Sequence, residues 1–440
     1  MGGLELTLTR RELLGSLVGL ISSPLLHACD EQPPPRPIPG SLLGPDREHG
    51  HRLRDGRFGP EAFTSAPTRR VGVAILGGGP AGLSAGWRLA QRGRSDYRIF
   101  ELEARVGGTS VHGESGGLRF PWGAHYLPLP QAHQVDLIAL LEQMGALEGR
   151  DEAGLPLGAE HLLVREPDER IFYRGYWYRG LYPYAGASSE ELSELERFRE
   201  RLDAFAGRRG ADGKRAFSLP LRTSSTDPSL LALDRLTAAE WLDREGLRSE
   251  RLRWLVDYAC RDDYGLRLEQ TSAWAALFYW AARMPGSGQE ARPLITWPEG
   301  NGALVEQLLA PSADRVETNR LVVDVRVREE GVELDLLDTR EDAPLRVLAD
   351  ACIVALPHFI AKRVVAPLRE RAPALVEAER FSYGGWMVAQ LHLRGRPQER
   401  GYAPAWDNVL YESPALGYVT ATHQRGRDFG PTIWTYYLPL

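Results

Sequence analysis

The run Gly77-Gly78-Gly79-Pro80-Ala81-Gly82 has the residue types and spacing needed to bind a nucleotide diphosphate. Gly77 permits a tight turn, Gly79 lets the backbone approach a pyrophosphate, and Gly82 lets a helix pack on a strand. The helix that begins at Pro80 offers free N–H groups and a positive dipole end to phosphates. These residues therefore predict a dinucleotide site.

The elements that must position the glycines surround them in the expected order. Residues 71–76 form a short β-branched apolar run, typical of a buried parallel strand. Residues 83–92 have the pattern of a helix, and Tyr97–Phe100 that of a second strand. Glu101 follows nineteen residues after Gly82 and can accept hydrogen bonds from adenosine ribose hydroxyls. This order favours a dinucleotide-binding unit over a glycine-rich turn in some other α/β protein.

The next stretch, Glu101-Leu102-Glu103-Ala104-Arg105-Val106-Gly107-Gly108, resembles the flavin amine oxidase and protoporphyrinogen oxidase superfamily. There a Gly-Gly pair follows the ribose-binding acid and lies along the diphosphate. The resemblance implies FAD as cofactor. It also implies an α/β fold: a Rossmann-like FAD-binding domain with a parallel sheet, and an α+β substrate domain with a mixed sheet plus helices. The residues it adds to the cofactor site are Leu102, Gly107, Gly108 and Thr109, the last standing where arginine is usual.

Residues 118–126 are similar to the superfamily segment that runs under the flavin ring. The pair Pro121-Trp122 replaces its usual acidic pair. Polar and aromatic side chains here are candidates for the active site, although a role in the core is an equally open alternative. No catalytic residue is assigned more firmly. The candidates are Gly123, Ala124 and His125 for the cofactor, and His125, Tyr126 and Trp122 for catalysis.

Three later stretches fit the same superfamily. Residues 297–302 resemble the glycine turn that reopens the FAD-binding domain, and 319–325 resemble a strand whose Val322 packs on adenine. Residues 349–357 resemble the strand that returns to the sheet, which adds Ala355 and Pro357 to the cofactor site. The resemblance covers about residues 70–126 and 295–400.

These patterns predict six regions. They are a signal (1–29), a proline-rich extended linker (30–68), a first FAD-binding segment (69–128), a mainly helical substrate domain (129–295), a second FAD-binding segment (296–365) and a substrate-domain sheet (366–440). Apolar periodicity predicts helices at 135–144, 192–205, 238–242, 252–259 and 273–282. An Arg174-Gly175 turn predicts an aromatic hairpin, either packed on its own domain, which we favour, or forming a lip for substrate or partner.

The first residues read as an export signal. Thr9-Arg10-Arg11-Glu12-Leu13-Leu14 resembles the twin-arginine motif, and Leu26-His27-Ala28-Cys29 resembles a lipoprotein box. The apolar run 13–26 would span only about 21 Å as a helix, too short for a bilayer core of ~30 Å. We expect the twin-arginine export machinery as a partner, a periplasmic or cell-surface location and a possible lipid anchor at Cys29. The alternative is an amphipathic N-terminal helix.

Composition excludes other classes of partner. The formal net charge of -6 gives no electrostatic footprint for nucleic acid, and three cysteines without metal-type spacing predict no metal site. Val388 and Ala389 stand where amine oxidases often place a lysine, which weakens the case for amine-oxidase chemistry. No C-terminal glycine-rich FAD segment is found before Leu440, so we expect the natural chain to continue.

The function that follows is an exported FAD-dependent oxidoreductase. It would oxidise a small organic substrate by hydride transfer to flavin N5. Two alternatives stay open: dehydrogenation of a larger apolar substrate, as in desaturases and protoporphyrinogen oxidase, and a non-catalytic FAD-binding lipoprotein. An NAD-dependent dehydrogenase is disfavoured by the Gly107-Gly108 segment.

Overall fold

The computed structural model describes residues 38–164, 168–365, 383–420, 425–427 and 429–440. The twin-arginine motif, the apolar run after it and Cys29 lie outside the described residues, so these predictions stay predictions. The chain divides into a first unit that ends at Arg47 and a second that runs from Glu48 to Leu440. All of the sites considered below belong to the second unit.

The described helices and strands alternate along much of the chain. The helices are α1 (Arg47–Arg54), α2 (Pro80–Gln91), α3 (Val135–Gln143), α4 (Ser189–Gly207), α5 (Pro228–Leu231), α6 (Ala238–Arg244), α7 (Glu250–Tyr264), α8 (Ala273–Ala281), α9 (Gly302–Leu309) and α10 (His358–Val364). The strands are β1 (Thr68–Leu76), β2 (Tyr97–Phe100), β3 (His112–Ser115), β4 (Leu118–Pro121), β5 (Tyr126–Pro128), β6 (Leu147–Arg150), β7 (Pro156–Gly158), β8 (Glu169–Tyr173), β9 (Tyr176–Arg179), β10 (Leu294–Thr296), β11 (Val316–Glu317), β12 (Arg320–Arg328), β13 (Gly331–Asp338), β14 (Ala343–Val354), β15 (Trp386–Leu393), β16 (Asp407–Leu410), β17 (Gly417–Thr420) and β18 (Thr432–Pro439).

A six-stranded sheet in the order β11-β2-β1-β14-β13-β12 carries the glycine run. Its first four strands are parallel, and β12 to β14 continue it as an antiparallel meander. Strand β1 is apolar on both faces because both faces are covered: Ala74 and Leu76 join one buried cluster, and Ile75 joins another. The α/β fold predicted from the sequence is confirmed, and the meander is added to its parallel half.

A second six-stranded sheet has the order β15-β18-β17-β16-β8-β9. Only β8 and β16 run parallel in it; the other neighbouring strands are antiparallel. The predicted aromatic hairpin is strands β8 and β9, with Arg174 and Gly175 at positive φ in the turn. Its side chains divide between core and surface, since Ile171 is buried whereas Tyr176 is 58% exposed.

The five predicted helices of the middle region are present as α3, α4, α6, α7 and α8. Ser188 and Thr237 form capping boxes at the starts of α4 and α6, which satisfy N–H groups that a helix start leaves free. Apolar stripes of α4 and α6 to α8 meet in one core that includes Phe198, Trp241 and Leu277. This helical layer carries several side chains of the candidate site.

The predicted extended linker needs correction at its C-terminal end. Residues 47–54 form helix α1, and Pro60–Phe63 form a 3-10 turn. Phe63 is only 2% exposed and packs with Leu321 and Val323 of β12. Burial of this aromatic ring stabilises a segment that composition alone indicated to be structureless. Ile38 to Asp46 have neither helix nor strand.

Membrane spans and metal clusters can be assessed for the part of the chain that the structure describes. Within it, no helix is long and apolar enough to span a bilayer. No group of three or more His, Cys, Asp or Glu residues is arranged to hold a metal ion there. Cys260 and Cys352 are free thiols, and burial raises the pKa of each to about 12.

Candidate functional site

The glycine turn has the geometry that its spacing predicts. Gly77 has φ +97°, and its N–H donates to the Phe100 carbonyl at 2.8 Å, which joins the turn to β2. A Cβ on Gly82 would overlap the carbonyl oxygen of Gly77, so the helix can approach the strand only with glycine here. The turn, β1 and the start of α2 therefore form one tightly packed unit.

Gly79, in contrast, borders open space. It is the N-cap of α2, without a side-chain cap, and Pro80 follows at the first helical position. A Cβ built on Gly79 would meet no atom closer than the Gly108 Cα at 4.0 Å. A site with free N–H groups and room where a side chain would stand suits the phosphates of a dinucleotide.

Glu101 closes this turn from the end of β2. Its Oε2 accepts from the Gly78 N–H at 2.6 Å and its Oε1 from the Glu103 N–H at 2.8 Å. Burial raises the pKa of Glu101, while these two hydrogen bonds oppose the shift. Each carboxylate oxygen has a second lone pair, so a ribose hydroxyl can still donate to it. That contact stays a prediction.

Other predicted cofactor residues gather round the same turn. The Gly107 N–H donates to the Gly78 carbonyl at 2.9 Å, and Gly108 opens a short 3-10 turn that includes Thr109. On the opposite side, the Ala355 N–H donates to the Leu76 carbonyl at 2.9 Å. Pro357 follows as the N-cap of α10, and Leu102 packs partly buried beside β12.

Val322 lies apart from the glycine turn. It is 6% exposed and belongs to a core cluster with Ala74 and Phe100. The packing explains why this residue is apolar, and the adenine contact implied by the superfamily resemblance stays a prediction.

Residues 118–126, which were predicted to run under the flavin ring, are hydrogen-bonded to strand β18. The carbonyl of Gly123 accepts from His125 Nδ1 at 2.7 Å and from the Tyr437 hydroxyl, which also contacts His125 Nδ1. The adjacent Ala124 carbonyl accepts from the Asn301 N–H at 3.0 Å, which ties the segment to the glycine turn before α9. Strand β18 of the second sheet and the turn before α9 therefore fix the backbone at Gly123 and Ala124.

Three carboxylates converge beyond His125. Glu169 and Asp407 are register partners on β8 and β16, and Asp262 comes from α7. We call Glu169, Asp262 and Asp407 the acidic cluster. Asp407 accepts from the Tyr258 hydroxyl at 3.1 Å, and Asp262 accepts from the Tyr279 hydroxyl at 3.2 Å. The tyrosines that interact electrostatically with the cluster are Tyr126, Tyr258, Tyr279 and Tyr437.

Comparison with known proteins decides the family. The model of the flavin containing amine oxidoreductase family matches residues 80–418, which is most of the chain. The chain belongs to the flavin-containing amine oxidoreductase family. Its cofactor is therefore a flavin, which confirms the FAD prediction.

Solved structures share the fold of this amine oxidoreductase at low sequence identity. Putrescine oxidase bound to putrescine is 18% identical with a TM-score of 0.62, over 85% of this chain and 76% of that one. Cyclohexylamine oxidase from Brevibacterium oxydans IH-35A is 19% identical with a TM-score of 0.57, over 84% and 75%. A fatty acid isomerase from P. acnes is 17% identical with a TM-score of 0.55, over 84% and 77%.

One curated relative matches over a short stretch. A Baeyer-Villiger monooxygenase from Streptomyces coelicolor (strain ATCC BAA-471 / A3(2) / M145) is 39% identical over 89 residues. This stretch is 20% of the amine oxidoreductase chain and 15% of that relative.

The residues present fit the flavin that the family requires. Open space above Gly79, the uncapped start of α2 and the carboxylate of Glu101 suit the ADP half of FAD.

Charge in the acidic cluster is poorly balanced. Within the described residues, Glu169, Asp262 and Asp407 form no ion pair, while the nearby Arg283 pairs with Asp263 at 3.1 Å. Burial, reinforced by neighbouring carboxylates, raises the pKa of Glu169 to about 7 and that of Asp262 to about 6. The same causes raise the pKa of Asp407 well above its ordinary value. These carboxylates are partly buried, and the positive charge of Arg283 offsets only part of the rise in the pKa of Glu169 and Asp262, so they mark a candidate binding site.

The three catalytic candidates predicted from the sequence do not share one set of contacts. His125 and Tyr126 lie beside the cluster, and both contact the Trp406 ring edge-on. Trp122 makes different contacts. The Arg105 guanidinium lies over its ring at 4.5 Å, and its carbonyl accepts a hydrogen bond from the Gln390 side chain.

The sequence analysis missed the acidic cluster and most of its tyrosines. These residues come from β8, α7, α8, β16 and β18, with no fixed spacing between them. One weak signal existed: Glu169 and Asp407 each begin a strand whose last residues are apolar or aromatic.

Proposed function

We propose that this chain is an FAD-dependent oxidoreductase that oxidises a small organic amine, bound as a cation in the acidic cluster. The single observation that carries the proposal is the convergence of Glu169, Asp262 and Asp407, partly buried and without an ion-pair partner among the described residues. An ammonium group would supply the missing positive charge.

The tyrosine side chains suit the same ligand. Aromatic faces attract cations and bury the methylene groups of an alkylamine. The Tyr258 and Tyr279 hydroxyls hold Asp407 and Asp262 in place. Two of the three neighbours of known structure described above act on amines by name, putrescine and cyclohexylamine, and the third is a fatty acid isomerase.

The chain's own residues bind and orient the substrate. The acidic cluster attracts the ammonium group, and the aromatic side chains exclude water from the carbon beside it. The nitrogen must lose a proton before the carbon is oxidised, because its lone pair forms the C=N bond as the hydride leaves; Glu169, whose pKa is raised to about 7, would accept that proton. When bound, the flavin supplies the acceptor for the hydride. The absence of lysine near Val388 and Ala389 leaves this proposal intact, because none of these roles needs a lysine.

A larger apolar substrate, the alternative raised from the sequence, is less well supported. Contact between hydrocarbon and buried carboxylates would remove their remaining hydration without a compensating charge, which is costly. A non-catalytic FAD-binding protein stays an alternative that activity decides.

Anaerobic reduction tests the proposal without knowledge of the electron acceptor. The purified full-length protein should be yellow, and putrescine, cyclohexylamine or n-butylamine should bleach its flavin absorbance. Asp407→Asn and Glu169→Gln should each raise the amine concentration for half-maximal bleaching by about 10-fold or more, because a charge-assisted contact is lost.

A surface carboxylate provides the matched control. Asp243 pairs with Arg253 on exposed helix surface, and Asp243→Asn should leave bleaching unchanged. Colourless protein that takes up no FAD, or a yellow protein that no amine bleaches, contradicts the proposal.

We also propose that the protein is exported in the folded state by the twin-arginine machinery. The support is the Arg10-Arg11 motif together with the flavin of the family, since a flavin held without a covalent bond would have to be loaded before export. An Arg10→Lys/Arg11→Lys variant should stay in the cytoplasm by fractionation. Cys29→Ser should release the protein from membranes if Cys29 is acylated; unchanged distribution would argue against the anchor.

A further inference from the structure

His125 has one ring nitrogen without a partner. The side chain is only 4% exposed, and its Nε2 is buried with no hydrogen-bond partner among the described residues. A buried polar atom without a partner costs free energy that a ligand group can recover.

The contacts of the other nitrogen determine the tautomer. His125 Nδ1 lies 2.7 Å from the Gly123 carbonyl oxygen, which can only accept. Nδ1 must therefore carry the proton. The Tyr437 hydroxyl donates to the same carbonyl, and its oxygen accepts from the Nδ1–H, which favours the same tautomer. In the neutral ring Nε2 then holds a lone pair and acts as an acceptor.

The ring borders the acidic cluster. Tyr437 and Trp406 contact it edge-on, with ring centroids 5.6 and 6.0 Å away. Trp406 immediately precedes Asp407, and Tyr437 interacts electrostatically with both Asp407 and Asp262. The His125 ring and the acidic cluster thus share Tyr437 as a neighbour.

We propose that His125 Nε2 accepts a hydrogen bond from an N–H of the substrate ammonium group, and that Tyr437 is a positioning residue that fixes the tautomer. The inference rests on the proposed function and adds a requirement to it: the preferred substrates carry an N–H. Charge alone would not distinguish them from quaternary ammonium compounds.

His125 acts as an acceptor and not as the base that deprotonates the substrate. Burial lowers its pKa to about 4, whereas an alkylammonium has a pKa of ~10. Full proton transfer is therefore unfavourable by about six powers of ten. The neutral ring is available as an acceptor at every pH above about 5.

Two probes of the same chain length test the inference by binding alone. n-Butylammonium has N–H donors and n-butyltrimethylammonium has none. Isothermal titration of FAD-loaded protein whose flavin has been reduced beforehand with dithionite, under anaerobic conditions at pH 8, measures both affinities without turnover. His125→Asn keeps an N–H near the Nδ1 position and removes the Nε2 acceptor. It should weaken n-butylammonium binding by about 10-fold and leave n-butyltrimethylammonium binding unchanged.

Two further variants separate this role from a structural one. His125→Gln, whose amide oxygen can reach the Nε2 position, should recover part of the n-butylammonium affinity that His125→Asn loses. Tyr437→Phe should lower the affinity ratio of the two probes by about 2- to 5-fold. Flavin content and Tm confirm folding of each variant.

Each outcome decides between the proposals. An equal loss for both probes, or no change for either, overturns the role of His125 while the cationic site stands. If neither probe binds the wild-type protein, the acidic cluster is not a cation site and both proposals fail.

Discussion

Glu169 and Asp407 are register partners at the first positions of the parallel strands β8 and β16. Two carboxylates in this relationship repel each other, and Asp262 adds a third. The pairing places like charges side by side in a buried setting, which makes both the affinity for cations and the stability of the protein depend on pH.

Affinity for n-butylammonium should rise between pH 5 and pH 8. The pKa of Glu169 is raised to about 7 and that of Asp262 to about 6, so both are largely protonated at pH 5 and ionised at pH 8. A cation favours the ionised form, so binding near pH 6.5 should also release protons. Titration calorimetry in buffers of different ionisation enthalpy measures the release; a pH-independent affinity would contradict the prediction.

The stability of the ligand-free protein should fall over the pH range in which its affinity for the cation rises. Between about pH 4 and pH 7 the unfolded chain binds fewer protons at these positions than the folded one, so their contribution to stability falls as pH rises. Relative to Glu169→Gln, wild-type protein should lose ~1–3 kcal/mol of unfolding free energy from pH 5 to pH 8. Urea unfolding of both proteins at each pH gives this difference.

Two glycines in the nucleotide turn should respond differently to alanine. Gly79→Ala adds a Cβ to open space at φ -72°, so the apo protein should keep its Tm while FAD affinity falls by about 10-fold or more. Gly82→Ala places a Cβ on the Gly77 carbonyl and should cost several kcal/mol of stability, ~3 or more. Thermal melts and FAD titration separate the two effects. Equal FAD affinity in Gly79→Ala and wild-type protein would place the diphosphate elsewhere.

Removal of the Glu101 carboxylate should affect folding as well as cofactor binding. Glu101→Ala leaves the Gly78 and Glu103 N–H groups without their acceptor, at about 1–3 kcal/mol each. Urea unfolding of the apo protein should register this loss, and FAD titration a weaker affinity. The exposed Glu114→Ala serves as control. A variant with normal apo stability would show that the two bonds contribute little.

Arg170 should be essential for the substrate-domain sheet. Its guanidinium is fully buried, donates to Asn408 at 2.5 Å and to Glu399, and stacks on the Trp177 ring at 3.8 Å. Arg170→Ala leaves the Glu399 carboxylate without its partner and should cost about 3–5 kcal/mol in urea unfolding. Arg88→Ala, at an exposed ion pair, should cost less than about 1 kcal/mol by comparison.

The nucleotide half of the molecule could be predicted in detail from the sequence. The Gly77–Gly82 spacing and the alternation of strand and helix are local signals, since each residue acts on neighbours a few positions away. The structure shows the tight turn at Gly77 and the close helix–strand packing at Gly82 that their spacing predicts. The prediction of an extended linker was wrong for residues 47–63, because Phe63 packs against β12 in spite of the proline-rich, polar composition.

The sequence by itself determined the α/β fold, the glycine turn and the flavin family, because these depend on short-range spacing that steric and hydrogen-bonding rules constrain. Only the tertiary structure brought together Glu169, Asp262, Asp407 and Tyr437, which lie far apart along the chain. The β8–β16 pairing and the docking of α7 join them through long-range contacts that no spacing encodes. Their raised pKa values likewise arise from burial and mutual repulsion, which exist only once the chain is folded.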